Sequence, residues 1–206
     1  VDDSGVSWVG AENGGLYRID SDGATSRPYP ELAGSSVSSL LVRSNGELWV
    51  GTFGSGLLRF GDSRGGPLIG TVEKLAGAHI LAMVEASDGS IWIASDGGVD
   101  RWVAGTAAPA PVQQAVADTL VRHLRESADG TLWLGTNDGL FAWSGEALRH
   151  YSRADGLSSN VITDSYEDER GVLWIGSRDG GLARLENDRL FTFGRDHGLP
   201  QSSVMA

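Results

Sequence analysis

Histidines and carboxylates are the side chains of this sequence that are equipped for acid–base or metal chemistry. His123 and Asp164 hold the same place in two successive sequence repeats, seven residues before a turn glycine. If both project inward from their neighbouring repeat units, they would form an ion pair or the polar floor of a pocket. His79 and His197, together with His123, make a three-histidine metal site conceivable, but no local ligand motif accompanies them. The sequence contains no cysteine, which excludes disulfides and thiolate chemistry. We therefore expect neither a metal nor another cofactor.

A tryptophan-centred unit recurs along the chain and must position these side chains. Its tryptophans are separated by 41, 43, 41 and 41 residues and stand at Trp8, Trp49, Trp92, Trp133 and Trp174. Each unit has an apolar run, a turn ending in glycine such as Asn45-Gly46, the tryptophan segment, a second glycine-rich turn, a third apolar segment and a less regular fourth. Four short segments separated by glycine turns are typical of antiparallel strands and not of paired helices.

The repeat predicts an all-β fold: a single β-propeller domain over residues 1–206 with about five four-stranded blades. Glycine at the first turn suits a two-residue hairpin, because it adopts the positive φ that such hairpins require. The chain ends cut one innermost strand, since "SSVMA" (202–206) matches its first half and "VDDSG" (1–5) its end. Two arrangements stay open, a closed five-bladed ring whose termini share one blade and a five-blade piece of a seven-bladed ring. Closure is favoured because open blade faces and sheet edges invite aggregation.

The recurring tryptophans are expected to be structural. The second strand of a blade is covered on both faces, so a tryptophan there should fill the wedge between sheets and bury on the order of 200 Å². A ring that recurs at the same phase in every unit is typical of packing and not of ligand stacking. Trp102 and Trp143, which match each other in the third strand, have the same predicted role. The glycine two residues after the tryptophan, as at Gly51, is expected to leave room for a neighbouring ring, although the third unit has Ala94 there.

The loops that vary between these uniform units form the candidate ligand site. The loops between second and third strands and the loops between blades should lie on one face. Asn, Asp and Ser before glycine usually serve a turn, whereas a turn needs neither phenylalanine nor arginine. An aromatic platform and a fork of donors suit a sugar or an acid. The predicted ligand-binding residues are Phe53, Asp96, His123, Asn137, Asn160, Asp164, Arg178, Asp179 and His197.

Two motifs of the chain resemble the two-component regulator propeller repeat. The first appears as "GELWVGTFGSGLLRF" (46–60), "GTLWLGTNDGLFAW" (130–143) and "GVLWIGSRDGGLARL" (171–185), and the second as "DGLSSNVITD" (155–164) and "HGLPQSSVMA" (197–206). The resemblance covers nearly the whole chain. It implies the extracytoplasmic, periplasmic sensing part of a membrane-bound histidine kinase, hybrid regulator or diguanylate cyclase, which detects a carbohydrate or another small ligand.

Three functional hypotheses follow. The first is a non-catalytic sensor domain that binds a small molecule or an oligosaccharide through its loops, with the other domains of its parent receptor and a second copy of that receptor as further partners. The second is a propeller enzyme, a lyase or glycosidase that uses His123 or His197. Glu12 with His197 is the pair that a lyase would need, and no carboxylate pair stands out among the turn aspartates. The third is an interaction platform or an engineered repeat fragment without a ligand.

The charge balance of the sequence argues against some classes of binding partner. Acidic residues outnumber basic residues 27 to 16, and the resulting formal charge of −11 disfavours nucleic acid and anionic membranes. No segment approaches the run of about 18 apolar residues that a membrane span needs. The sequence starts at Val1 with neither an initiator methionine nor a signal peptide, so we expect a piece of a longer chain.

Overall fold

Apolar runs and glycine-containing turns produce nineteen short strands in the computed structural model, which describes residues 5–26, 29–62, 66–201 and 203–204. Consecutive strands pair antiparallel in five sheets, one for each sequence unit, which we number blades 1 to 5. This confirms the predicted all-β blade architecture. The chain divides into two compact units, residues 1–110 with blades 1 to 3 and residues 111–206 with blades 4 and 5.

The first unit contains eleven strands over its described residues. Blade 1 consists of β1 (Ser7–Ala11), β2 (Gly15–Ile19) and β3 (Thr25–Ser26). Blade 2 consists of β4 (Val37–Val42), β5 (Leu48–Thr52), β6 (Leu57–Phe60) and β7 (Leu68–Thr71). Blade 3 consists of β8 (Ile80–Glu85), β9 (Ile91–Ser95), β10 (Gly98–Val103) and β11 (Thr106–Pro109).

The second unit continues the same pattern. Blade 4 consists of β12 (Val121–Glu126), β13 (Leu132–Thr136), β14 (Gly139–Trp143) and β15 (Leu148–Tyr151). Blade 5 consists of β16 (Ile162–Glu167), β17 (Leu173–Ser177), β18 (Gly181–Glu186) and β19 (Arg189–Phe193). Across the described parts of both units the helical segments are short 3-10 turns, at Pro30–Leu32, Gln113–Val116, Arg153–Asp155 and Arg195–His197. None of these turns has the length and apolar character needed to cross a membrane.

Blade 1 has three strands within the described residues, where the repeat predicted four. The prediction that the two termini share one blade depends on residues 1–4 and 205–206, which lie outside the described part of the chain. The choice between a closed ring and a piece of a larger ring therefore stays a prediction.

The first hairpin of a blade is longer than the predicted two-residue turn. In blade 2 the Gly46 N–H donates to the Arg43 carbonyl at 2.9 Å, and the Arg43 N–H donates to the Glu47 carbonyl at 2.9 Å. Gly46 follows this β-turn with a φ of 86°. The Asn45 side chain accepts the Glu47 N–H at 3.0 Å. This hydrogen bond favours a hairpin with a β-turn and a following residue in the left-handed conformation over the predicted two-residue hairpin.

The tryptophans of the second strands are buried or half-buried, which agrees with the predicted packing role. Trp49 is fully buried and Trp92 is 6% exposed. Trp133 and Trp174 are half-buried, and the Trp133 indole N–H donates to Ser127 Oγ at 2.8 Å beside the first hairpin of its own blade. The polar edge of the indole thus reaches the rim of the sheet while the ring stays in the packing.

The glycine after the tryptophan accommodates an aliphatic side chain of the next blade, so the prediction of a ring was wrong. A Cβ on Gly51 would lie 2.7 Å from Ile80 Cγ2, and a Cβ on Gly135 would lie 3.0 Å from Ile162 Cγ2. Both isoleucines begin the innermost strand of the following blade and are fully buried. A β-branched residue packs closely enough against the bare glycine to leave no space for an aromatic ring.

A carboxylate of blade 3 holds the first hairpin of blade 2. Glu85 of β8 accepts the Ser44 N–H at 2.6 Å and the Arg43 guanidinium at 2.9 Å. Its side chain is 13% exposed. Glu85 therefore satisfies the turn of one blade from the innermost strand of the next.

Candidate functional site

An irregularity in the innermost strands determines where their polar side chains stand. In blades 2 to 5 the pairing of the innermost strand with its neighbour shifts at a β-bulge, directly before Ser39, Ala82, His123 and Asp164. A bulge re-aims the side chains that follow it. Blades 4 and 5 are neighbours in the second unit, and they carry histidine and aspartate at this place.

The His123 imidazole lies between two side chains of β16. Nδ1 is 2.9 Å from Asp164 Oδ1, and Nε2 is 2.8 Å from Ser165 Oγ. This distance confirms the predicted pairing of His123 with Asp164. The hydrogen bond from His123 holds the pKa of Asp164 below its usual range, and partial burial of the carboxyl opposes that shift. An ionised Asp164 accepts a hydrogen bond from Nδ1–H, and Nε2 forms a second hydrogen bond with the Ser165 hydroxyl.

The order aspartate–histidine–serine is that of a nucleophilic triad, but the serine is inaccessible. Ser165 is 4% exposed, and the His123 side chain is 17% exposed. A reacting carbonyl would have to come within about 3.5 Å of the serine oxygen. The three residues therefore join β12 to β16, and the Asp164 side chain, 35% exposed, is the member that a solute can reach.

Three side chains from the loops of blades 2 and 3 meet in the first unit. Phe53, directly after β5, forms an isolated antiparallel bridge with His79, and their ring centroids are 5.6 Å apart. His79 Nδ1 is 2.8 Å from Asp96 Oδ2, while the His79 backbone N–H donates to Asp96 Oδ1 at 3.0 Å. Phe53 is 55% exposed. A solvent-facing ring is thus held beside an imidazole–carboxylate pair.

Asp96 keeps its charge at neutral pH. The hydrogen bond from the His79 backbone N–H holds the pKa of Asp96 below its usual range, and the attraction of the His79 side chain adds to this effect. A carboxylate held in this way accepts hydrogen bonds from hydroxyl groups and fixes the orientation of its imidazole partner.

We call this group of three side chains the Phe53 site. A cavity of about 520 Å³ lies next to it, lined by residues such as Gly54 and Ala78 that directly adjoin Phe53 and His79 in the chain. The loop 54–57 forms one wall and residues 75–78 form the other. The backbone N–H groups of Gly54 and Gly56 both donate to the Ala78 carbonyl, at 3.3 and 3.1 Å, and hold the two walls in register. Ligand cavities in proteins commonly measure about 300–1,000 Å³, so the space suits a small molecule.

Two of the predicted loop residues of the second unit are engaged in local structure. Arg122 Nε donates to Asn137 Oδ1 at 2.9 Å. Asn160 Oδ1 accepts the Arg153 N–H at 2.8 Å, and its amide lies 3.4 Å from Asp138 Oδ1. Such side-chain bonds are the usual use of asparagine in loops. Ligand binding by these residues stays a prediction.

The remaining predicted residues are exposed and lie apart from the His123–Asp164 pair. Asp179 has a φ of 64° in the turn after β17. Arg178 is exposed, and its side chain makes no hydrogen bond or ion pair with the described residues. His197 Nδ1 accepts the Gly194 N–H at 3.4 Å and its ring meets Phe193 edge-on at 5.8 Å. The structure brings together Phe53 with Asp96, and His123 with Asp164.

The sequence predicted His79 only as a candidate metal ligand, and its role beside Phe53 was missed. The sequence signal for this role was the regular spacing of the repeat, which appears in the structure as two equivalent hydrogen bonds. The N–H groups of Phe53 and Asp96 each donate to the carbonyl 17 residues earlier, at Ser36 and His79. This constant separation placed residue 79 beside residue 96. Within the described ranges, no group of three or more His, Asp or Glu side chains is arranged to hold a metal ion.

Comparison with known sequences identifies the repeat. Residues 31–54, 74–97 and 156–179, together about a third of the chain, match the family model described as "Two component regulator propeller". Curated protein sequences contain no match to this chain.

Solved structures share the fold at low sequence identity. The extracellular domain of a protein described as a hybrid two-component system from B. thetaiotaomicron has a TM-score of 0.88 at 19% identity, over 100% of this chain and 29% of that chain. A second such domain from the same organism has a TM-score of 0.56 at 19% identity, over 98% of this chain and 34% of the other. Catalytically inactive virginiamycin B lyase from Staphylococcus aureus with quinupristin has a TM-score of 0.71 at 17% identity, over 98% and 71%. The chain has the β-propeller fold, and it spans less than a third of the first of these structures.

Proposed function

We propose, from the premise that the chain carries two-component regulator propeller repeats, that it is the non-catalytic sensing part of an extracytoplasmic receptor. Its ligand is a small polar molecule with a ring, such as a mono- or disaccharide, bound at the Phe53 site. One observation carries the proposal. The Phe53 ring is 55% exposed and stands beside the His79–Asp96 pair, and the residues next to Phe53 and His79 in the chain line a cavity of about 520 Å³.

The chemistry of the Phe53 site matches a sugar ring. Full burial of a phenylalanine side chain is worth about 1.5–3 kcal/mol, so covering the exposed ring with the apolar face of a ligand is favourable. Asp96 supplies acceptors for hydroxyl groups, and His79 presents an oriented imidazole. An aromatic platform with a few convergent polar groups is the usual composition of a small-molecule site.

Similar structures support the location given in the proposal. Two of them are named as extracellular domains of hybrid two-component systems. An extracytoplasmic location follows if this chain serves the same kind of parent, with the other domains of that receptor and a second copy of it as partners. The binding event would then be transmitted to an output domain outside this chain.

A thermal-shift screen with mono- and disaccharides tests the proposal, and the best stabiliser is then titrated by calorimetry. A ligand at a hundred times its Kd should stabilise the fold by about 2.7 kcal/mol. Phe53→Ala should weaken binding by about tenfold or more. Phe191→Ala is the matched control, because Phe191 of β19 is 42% exposed and lies in the other unit. Equal affinities of the two variants would contradict the Phe53 site.

A lyase is the second candidate function. Two solved streptogramin-type lyase structures share the fold over 98% of this chain, and His123 is hydrogen-bonded to a carboxylate as a general base would be. Incubation with quinupristin, followed by liquid chromatography and tandem mass spectrometry, tests it, because an elimination that opens a ring leaves the mass of the compound unchanged. Turnover that is lost in His123→Ala would replace the sensor proposal, and no turnover would remove this candidate.

A further inference from the structure

Blade 2 lacks an aromatic ring that equivalent blades have at their ends, and a second cavity of the first unit lies at this place. In blades 1, 4 and 5 the tryptophan of the second strand packs against a ring at the end of its own blade. The ring centroids are 5.7, 6.1 and 6.0 Å apart in the pairs Trp8–Tyr29, Trp133–Tyr151 and Trp174–Phe193. In blade 2 the segment "VEKLAG" (72–77) corresponds to "YPELAG" (29–34), so Val72 stands where blade 1 has Tyr29. Blade 3 carries Ala110 near this place, and it is buried.

The exchange of a ring for Val72 coincides with a cavity of about 290 Å³ between blades 2 and 3. Val72 lies in its wall. The polar and aromatic residues that line the cavity are Arg59 of β6, Thr71, Glu73, Lys74, Trp102 of β10 and Thr106. We call this space the Lys74 cavity. It shares Thr71 and Val72 with the cavity at the Phe53 site, on the other side of the connection 72–79.

Lys74 is the only lysine of the chain, and its backbone is unusual for a long side chain. Its φ is 62°, in the left-handed region that residues other than glycine, asparagine and aspartate seldom occupy. The corresponding residue of blade 1, Glu31, lies in the 3-10 turn Pro30–Leu32, whereas no such turn is formed in the described connection 72–79. Strained backbone of this kind is concentrated at functional sites.

The charges around the Lys74 cavity are not fully paired. The Lys74 ammonium and the Glu73 carboxylate make no hydrogen bond or ion pair with the described residues. Arg59 Nη2 is 3.1 Å from Glu47 Oε1, but its buried Nε has no partner there. The walls of the cavity therefore hold an arginine that Glu47 already pairs, together with the Lys74 ammonium and the Glu73 carboxylate, which are both unpaired among the described residues. The Lys74 ammonium is thus the cation that remains to bind a carboxylate of a ligand, and the Glu73 carboxylate remains to accept hydrogen bonds.

We propose that the Lys74 cavity binds a small polyhydroxylated carboxylate of hexuronate size. The Lys74 ammonium meets the carboxylate of the ligand, and the Glu73 carboxylate accepts hydrogen bonds from its hydroxyl groups. Thr71 and Thr106 supply further hydroxyl partners. Trp102, 9% exposed, closes the apolar side of the space. This site is separate from Phe53 and does not require the proposed function to be correct.

The single lysine allows a site-specific test on the full chain. Reductive ¹³C-methylation keeps the charge of lysine and labels Lys74 and the terminal amine alone. D-Glucuronate, the probe, should move the Lys74 methyl resonance saturably, whereas D-glucose, which has the same ring without the carboxylate, should not. Lys74→Gln should lower the glucuronate affinity measured by calorimetry by about ten- to a hundredfold, the range for loss of a charged hydrogen bond. Arg153→Gln, an exposed cation of the second unit, is the control and should bind normally.

A second variant keeps the test independent of folding and of the Phe53 site. Val72→Tyr places a ring in the wall of the cavity, so the glucuronate response should disappear, and the thermal midpoint of this variant checks that the packing of Trp49 against Trp102 is kept. Phe53→Ala should leave that response unchanged, which separates failure of this proposal from failure of the proposed function. A Lys74 resonance that does not move with glucuronate, or undiminished binding by Val72→Tyr, would overturn the assignment.

Discussion

Replacing Gly51 by alanine should destabilise the packing of blade 2 against blade 3. A Cβ at this position would lie 2.7 Å from Ile80 Cγ2 and 2.8 Å from Ile80 Cβ, and 3.3 Å from Ser39 Cβ. Carbon atoms in contact are normally about 3.5–4.0 Å apart, so Ile80 or the strand β5 must move by nearly 1 Å. Ile80 is fully buried and belongs to a packed cluster with Trp49, which leaves it no free direction.

The magnitude follows from two opposing terms. Overpacking of a core costs typically about 1–3 kcal/mol. Because the φ of Gly51 is not positive, alanine is conformationally acceptable and recovers about 0.4–1 kcal/mol from the unfolded state. We therefore expect a net loss of about 1–2 kcal/mol, which lowers the thermal midpoint by roughly 2–8 °C in a chain of this size.

Thermal and urea unfolding followed by tryptophan fluorescence measure this loss. Gly135→Ala is the matched comparison, since its Cβ would lie 3.0 Å from Ile162 Cγ2 and 3.1 Å from His123 Cβ. The looser contact should make its loss smaller than that of Gly51→Ala. A Gly51→Ala protein as stable as its parent, or less affected than Gly135→Ala, would refute the steric argument.

Three further predictions concern buried or paired carboxylates. Asp100 is 1% exposed and accepts the Ala76 N–H at 2.8 Å, and burial raises the pKa of its carboxyl group. The charge of Asp100 therefore lowers the stability of the fold at neutral pH, and this stability is regained as the pH falls through the raised pKa. Asp100→Asn, which keeps an acceptor, should unfold at higher urea at pH 7, and no gain there would contradict this. The lowered pKa of Asp164 contributes stability above the unfolded value of about 3.9 that is lost as the pH falls through the folded pKa. In urea unfolding measured as a function of pH, Asp164→Asn should therefore lose less stability than the parent protein as the pH falls. The same acid-induced loss in both proteins would contradict this prediction. Glu85→Gln should cost about 1–3 kcal/mol in urea unfolding by weakening its hold on the neighbouring hairpin, and a neutral result would show that the contact is dispensable.

Much of the fold and part of the candidate site could be predicted from the sequence. The spacing of Trp49 and its equivalents predicted the sheets, because the turn and strand preferences that define a blade act over a few residues. The same period placed His123 and Asp164 at equivalent positions of consecutive blades, and the distance of 2.9 Å confirms their contact. The ligand role of Arg178 stays a prediction.

The sequence by itself determined the order of the strands and the places of the turns between them, since these depend on local alternation and on glycine and asparagine at fixed offsets. Only the tertiary structure decided which side chain fills each gap between blades: Ile80 against Gly51 where a ring was expected, and a cavity beside Val72 where blade 1 has Tyr29. It also decided that Phe53, His79 and Asp96 form one group. The reason is physical: packing depends on atoms that are far apart in the chain, and the distance between them is set by how the sheets approach each other and not by any local pattern.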